Sequence, residues 1–222
     1  MEFFNIFFYG GYFLASIFFL IGVSYKCKNE KLIKENIDYT RKNQELSTLS
    51  FLDFLTGIYN RRKIIEVGNM IFKDMKAKKL LGMSVSIIDI DNFKYINDKY
   101  GHGVGDLVLR ELSNILRTTG FREMNYGRFG GEEFLLIFSD ATPIRSKEML
   151  EEIRNKISEA NIKVNGERIS ITISCGICEY IEGDDLESMI YRSDQALYKA
   201  KNSGKNRVEA SYKNVQLTEE IS

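Results

Sequence analysis

Residues 126–136 read YGRFGGEEFLL. Two glycines and two glutamates separate REMNYGRF (122–129) from the apolar run EFLLIFS (133–139). Gly-Gly suits the primed turns that join twisted antiparallel strands, so the stretch predicts a β-hairpin with adjacent carboxylates at its tip. A solvated turn would account for the same residues. The choice between a turn and a site rests on whether another acid of the chain can meet Glu132 and Glu133.

Outward from the hairpin, helical and strand patterns alternate. NRRKIIEVGNMIFKDMKAKK (60–79) predicts an amphipathic helix and LGMSVSIIDI (81–90) a strand buried at its end. GVGDLVLRELSNILRTTG (103–120) predicts a helix that stops at Gly120. A helix over about 143–160, a strand around 168–178, a helix over about 184–203 and the closing strand NRVEA (206–210) complete the order. This alternation predicts an α/β fold in which helices cover a mixed sheet. No internal repeat is evident.

The second acidic stretch is SIIDIDNFKYINDKYGHGVGD (86–106). Asp91 reads as the N-cap of a short helix carrying Phe93 and Tyr95. Asp89 has no such role: a carboxylate ending an apolar strand is poorly solvated and needs a counter-charge. If the hairpin pairs beside this strand, Asp89 meets Glu132 or Glu133, and clustered carboxylates repel unless a divalent cation sits among them. Magnesium suits an all-oxygen site completed by water and phosphate, which points to a metal–nucleotide centre. Lys201 and Lys205, four apart at the end of the last helix, can reach one side, which a solvated basic helix end facing the dipole would also explain.

Composition excludes several alternatives. Lys+Arg and Asp+Glu balance at 31 each, so bulk charge does not mark a nucleic-acid binder. Three cysteines are too few for a disulfide scaffold. Cys175 and Cys178 have metal-like spacing, but RISITISCGICEY alternates like a strand, where residues three apart face opposite sides. Both are expected to be buried core thiols.

From Phe3 to Tyr25 no residue is charged. As a helix that run would extend roughly 34 Å at about 1.5 Å per residue, enough for a bilayer core of roughly 30 Å. No basic region precedes it and no small-x-small site follows, which speaks against a cleaved signal peptide. Lys26, Lys28, Lys31, Lys34, Arg41 and Lys42 follow it, so the positive-inside bias places the remainder in the cytoplasm, as a single-pass protein of the cytoplasmic membrane. Residues 26–52 predict a polar helical linker. Tyr25, Leu32, Tyr39 and Leu46 recur every seven residues, an incomplete heptad compatible with a coiled seam or with a solvated helix.

Four blocks, DFLTGIYNRR (53–62), DIDNFKYINDKYGHGVGD (89–106), RFGGEEF (128–134) and YKAKNSGKNRV (198–208), resemble in order and spacing the signature blocks of the GGDEF family, the diguanylate cyclases. The resemblance covers residues 53–210, between the linker and a C-terminal tail at 211–222. It implies a mixed-sheet, palm-like nucleotide cyclase domain preceded by one transmembrane helix and the linker. The implied reaction joins two GTP into cyclic di-GMP and two pyrophosphates across a homodimer. Asp89, the Ile90 carbonyl, Glu132 and Glu133 would hold two magnesium ions, with manganese as the substitute cation, and Glu132 is the candidate proton acceptor. Backbone amides of Asn92, Phe93 and Lys94 would cradle the β and γ phosphates, with Lys201 and Lys205 opposite them. Gly130 and Gly131 would let the backbone approach the phosphates. Asn97 and Asp106 match the guanine-reading positions, while His102 either contacts the nucleotide or orders the loop. Asp53, Asn60 and Arg61 are expected to shape the first turn and helix start rather than to do chemistry.

Two departures stand out. Lys205 replaces a frequent arginine, keeping the charge but losing bidentate geometry. Phe121 and Met124 occupy the positions of an R-x-x-D pair where product binds and inhibits, so no inhibitory site is expected. The alternative reading is a non-catalytic GTP or cyclic-dinucleotide sensor that signals through the anchor. A cyclase that also accepts ATP is a third, against which Asp106 speaks.

Overall fold

The computed structural model of the protein describes residues 22–38, 51–160, 162–164 and 167–211. The chain divides into two compact units, residues 1–50 and 51–222. In the first, residues 22–38 form a helix, α1, exposed along its length and carrying an i,i+4 Lys31–Glu35 pair at 4.0 Å. The apolar run at 3–25 lies outside the described residues except for 22–25, which are helical. Among the described residues no helix is long and apolar enough to cross a membrane. Of the heptad positions Tyr25 and Leu32 are exposed on α1, whereas Tyr39 and Leu46, like the tail after Ser211, fall outside the described residues.

The second unit runs α2 (Arg61–Lys76), β1 (Met83–Ile90), α3 (Phe93–Tyr100), α4 (His102–Thr118), β2 (Met124–Arg128), β3 (Glu133–Ser139), α5 (Pro143–Glu159), β4 (Ile162–Val164), β5 (Glu167–Ile169), β6 (Ile173–Glu179), α6 (Leu186–Asn202) and β7 (Val208–Ser211). Five strands form one sheet in the order β2-β3-β1-β6-β7, antiparallel except for the β6–β7 pair. β1 is buried at every position, as a central strand covered on both faces must be. Its side chains alternate: Met83, Val85 and Ile87 join a core with α2 and α6, while Ile88 and Ile90 join a larger one with α3, α4 and α5. This is the mixed α/β sandwich expected.

Local chemistry explains the element ends. Asn60 caps α2 by accepting a hydrogen bond from the Lys63 amide at 3.0 Å, and Thr142 caps α5 with Pro143 in its first turn. Gly120, at φ +69, follows the last residues of α4, where a left-handed residue commonly stops a helix. Cys175 and Cys178 are both buried on β6, the first in the larger core and the second in the α2/α6 core. Burial pushes the Cys178 thiol up to about 12 and the Cys175 thiol well above its ordinary value, so both are inert core thiols.

Three expectations need correction. The strand anticipated over 168–178 is two strands, β5 in a separate hairpin with β4 and β6 in the main sheet, with a break at 170–172. The glycine turn is not a primed turn, since neither Gly130 nor Gly131 has a left-handed φ. It is a longer connection in which the Phe129 and Gly130 amides both donate to the Glu133 carbonyl, at 2.8 and 3.2 Å. Finally, α6 ends at Asn202, and Lys205 lies beyond it in a turn with φ +62, after Gly204 at φ +108.

Candidate active site

The register of the sheet brings the two acidic stretches together. Asp89 pairs directly with Glu133 across β1 and β3, and with Ser174 across β1 and β6. The alternation of β1 turns Asp89 toward α6, where the Lys201 ammonium lies 2.9 Å from its carboxylate. Asp89 is buried, and that burial pushes its carboxyl above the ordinary value. The Lys201 charge opposes the rise, and Glu132 and Glu133 add to it. Glu132 and Glu133 thus add negative charge near Asp89, while of the three acids the Lys201 ammonium bonds Asp89 alone.

Such a surplus of negative charge, carried entirely by oxygen donors, fits a hard divalent cation. Among the described residues no three Asp, Glu, His or Cys side chains converge closely enough to hold a metal as they stand. An ion here would need oxygens beyond the side chains. Ile90 can offer only its carbonyl, because its hydrocarbon side chain carries no donor atom.

Asp91 does not cap α3. It is buried and accepts hydrogen bonds from Thr172 Oγ1 at 2.7 Å, Ser174 Oγ at 2.6 Å and the Asn206 amide at 3.0 Å. The acid thus ties the end of β1 to the break at 170–172, the start of β6 and the turn after α6. The cap position belongs to Asn92, in a left-handed conformation with no side-chain cap bond. The amides that open α3 at Phe93 and Lys94 are among those a helix leaves without intrahelical partners. Asn92 Oδ1 instead accepts from Lys205 Nζ at 2.5 Å. Lys201 and Lys205 therefore reach one region, although only Lys201 does so from the helix. Phe93 is buried, whereas Lys94 is exposed.

Gly101, at φ +86, turns the chain between α3 and α4. Asn97 Oδ1 lies 2.0 Å from where a Gly105 Cβ would stand, so its carboxamide rests against the first turn of α4 beside Asp106. His102 opens α4 and is exposed. The two turn glycines differ in kind. A Cβ on Gly130 would sit 2.6 Å from Glu133 Oε2, so Gly130 makes room for that carboxylate. A Cβ on Gly131 would meet nothing within 4 Å, so the protein itself does not demand glycine there.

Sequence reasoning missed Arg128. Its guanidinium donates to the Gly131 carbonyl through Nε (3.1 Å) and an Nη (2.8 Å), and to both Asp53 oxygens at 3.3 Å. Burial disfavours the Asp53 charge, but two hydrogen bonds from Thr56 and the Arg128 cation outweigh it and hold the carboxyl below its ordinary value. Asp53 shapes the first turn, as expected, and also anchors the arginine that holds the glycine turn. The sequence signal was a basic residue just ahead of the glycines, whose acidic partner lies 75 residues away. Arg61 lies over the Phe129 ring at 4.4 Å. Phe121 packs half-buried on the core and Met124 is buried on β2, so neither position carries a polar side chain.

Residues 50–207 match the family described as diguanylate cyclase, GGDEF domain. The chain belongs to the GGDEF family. Diguanylate cyclase VdcA of Vibrio cholerae is 37% identical over 188 residues, covering 81% of this chain and 53% of that protein. Diguanylate cyclase A of Treponema denticola is 37% identical over 193 residues, covering 84% and 52%. The chain thus spans about half the length of these GGDEF relatives. Among solved structures, the GGDEF domain of DgcB from Caulobacter crescentus in complex with c-di-GMP superposes with a TM-score of 0.69 at 32% identity, covering 72% of this chain and 95% of that one. The active GGEEF domain of a Vibrio cholerae diguanylate cyclase does so with a TM-score of 0.63 at 36% identity, covering 68% and 96%.

Proposed function

We propose that the protein is a diguanylate cyclase that condenses two GTP into cyclic di-GMP and two pyrophosphates, each copy of a homodimer presenting one GTP. The observation that carries this reading is the directly opposed Asp89 and Glu133 beside a glycine turn, with the Lys201 ammonium on Asp89. In each half-reaction the 3′-oxygen of one GTP bonds to the α-phosphorus of the other, the α–β anhydride breaks, and pyrophosphate leaves. Two magnesium ions, or manganese in their place, would neutralise phosphate charge and acidify the attacking hydroxyl.

The chain's own residues bind, orient and take the proton. Asp89, the Ile90 carbonyl, Glu132 and Glu133 would hold the ions, and Glu132 is the candidate acceptor of the 3′-hydroxyl proton. The amides at Asn92–Lys94, with Lys201 and Lys205, grip the β and γ phosphates at an uncapped helix start. The open space over Gly131 leaves room for the triphosphate. Asn97 and Asp106 accept from the N1 and N2 donors of guanine. Adenine would leave Asp106 unpaired, a loss on the order of 1–3 kcal/mol. The apolar run at 3–25, with the basic residues after it, supports a single-pass anchor in the cytoplasmic membrane with the cyclase on the cytoplasmic side.

The test is chromatography of GTP and magnesium incubated with the full chain. Cyclic di-GMP with two pyrophosphates per product, lost on Glu132→Gln, is the expected result. Tight GTP or cyclic di-GMP binding with no product would instead establish the sensor reading.

A further inference from the structure

The turn after α6 is built from left-handed backbone. Gly204, Lys205 and Asn206 follow one another at φ +108, +62 and +46. Glycine adopts such angles freely, but two consecutive residues with side chains do so only where the surroundings hold them. Here the hold comes through Asn206. Its amide donates to the buried Asp91 at 3.0 Å, and its side-chain oxygen accepts from Arg154 Nη1 at 2.8 Å. Arg154 lies on α5, which packs on the larger core, across the sheet from α6. Its side chain is only 17% exposed and is fixed in turn by Glu151 at 2.7 Å and Asn155 at 2.6 Å. The Lys205 amide closes the turn on the Ala200 carbonyl at 3.0 Å.

The consequence falls on Lys205. With the turn fixed, its ammonium stands 2.5 Å from Asn92 Oδ1, at the start of α3. An arginine would aim a rigid fork at phosphate, whereas a lysine on a flexible stem depends on its backbone for direction. We propose that Arg154 is a positioning residue for the nucleotide: acting through Asn206, it holds the left-handed turn that points Lys205 at phosphates bound over α3. The inference rests on the cyclase reading of this site. It adds to that reading a residue from the opposite face of the sheet, 52 residues from its partner in the chain. Arg154 acts at one remove, since Lys205 is the group that meets the phosphates.

Arg154→Met keeps the apolar stem and removes the donors. In the full chain with magnesium it should raise the KM for GTP roughly five- to tenfold and leave kcat within about twofold, because a ground-state phosphate contact is what loosens. Asn206→Ala breaks the same bond from the exposed turn without touching α5, so it should give the same shift even if Arg154→Met folds poorly. Asn206→Asp keeps an acceptor for Arg154 and tolerates the left-handed angle, and should stay near the wild type. In a Lys205→Met background, Arg154→Met should change the KM no further. An arginine with a merely structural role would lower kcat or stability in either background. Equal effects of Arg154→Met with and without Lys205, an unchanged KM in both Arg154→Met and Asn206→Ala, or a loss confined to kcat would overturn the proposal. Calorimetric titration with a non-hydrolysable GTP analogue and magnesium repeats the cycle on affinity, independently of turnover. A protein that binds the analogue in this pattern yet forms no cyclic di-GMP refutes the cyclase reading and keeps the clamp. One that forms cyclic di-GMP with additive Arg154 and Lys205 effects refutes the clamp.

Discussion

Gly176→Ala should unseat α6 and with it Lys201. Gly176 lies on β6 opposite Ile87, on the face against which α6 packs. A Cβ there would stand 2.0 Å from the Ser193 carbonyl oxygen and 2.2 Å from the Leu197 amide nitrogen, both backbone atoms that no rotamer can move. Reaching an ordinary 3.4 Å contact requires about 1.4 Å of retreat by the helix. Overpacking of this kind costs about 1–3 kcal/mol or more, and two apposed backbones place it at the upper end. The retreat also loosens the fully buried Met189 and Leu197. It stretches the 2.9 Å Lys201–Asp89 pair beyond salt-bridge range. At roughly 2–4 °C per kcal/mol for a chain of this size, thermal unfolding followed by circular dichroism should fall by about 6–12 °C. GTP turnover, measured where the variant is still folded, should drop by roughly tenfold or more. A midpoint within about 2 °C of the wild type would show that β6 and α6 have room to spare and refute the reasoning.

Other perturbations read the site more locally. Burial raises the Asp89 carboxyl, so its contribution is stabilising in full below the unfolded value near 3.8 and is lost as pH rises through the higher folded value. Without divalent cations, Asp89→Asn should therefore melt above the wild type at pH 7 and converge with it near pH 4, while magnesium should stabilise only the wild type. A wild type that melts higher at pH 7 without metal would contradict this. Arg128→Lys keeps a cation but cannot bridge the Gly131 carbonyl and both Asp53 oxygens, so turnover should fall by roughly tenfold while melting drops by only a few degrees; unchanged turnover would remove Arg128 from the account. With Phe121 and Met124 in place of an anion-binding pair, micromolar cyclic di-GMP should leave initial rates unchanged. Strong suppression at that concentration would show a product site elsewhere.

Much of this architecture was legible because its periodicities are local. α2, α4 and α5 follow the 3.6-residue apolar pattern, and β1, apolar toward its end, reads as a buried strand. The opposite facing of Cys175 and Cys178 follows from strand alternation alone. What escaped depends on contacts distant in sequence. The break at 170–172 bonds through Thr172 to Asp91, more than 80 residues earlier in the chain. β4 and β5 are three residues each, too short to show a period. The four-residue spacing of the two lysines alone keeps Lys205 on α6, but Gly204, left-handed at φ +108, ends the helix before it. Of the two glutamates a hairpin beside β1 could bring to Asp89, Glu132 or Glu133, the register sets Glu133 directly opposite it. Arg128 was passed over because its function lies in an ion pair to a turn that no local pattern connects to it.

With a triphosphate bound, Asp89 and the glycine-turn glutamates would share divalent cations with it. Anomalous scattering from crystals grown with manganese and a non-hydrolysable GTP analogue locates those ions directly. Peaks bridging Asp89, Glu132 or Glu133 and the phosphate oxygens are the predicted result. Bound analogue with no manganese at these carboxylates, or with Lys201 still paired to Asp89 and the phosphates elsewhere, would contradict it.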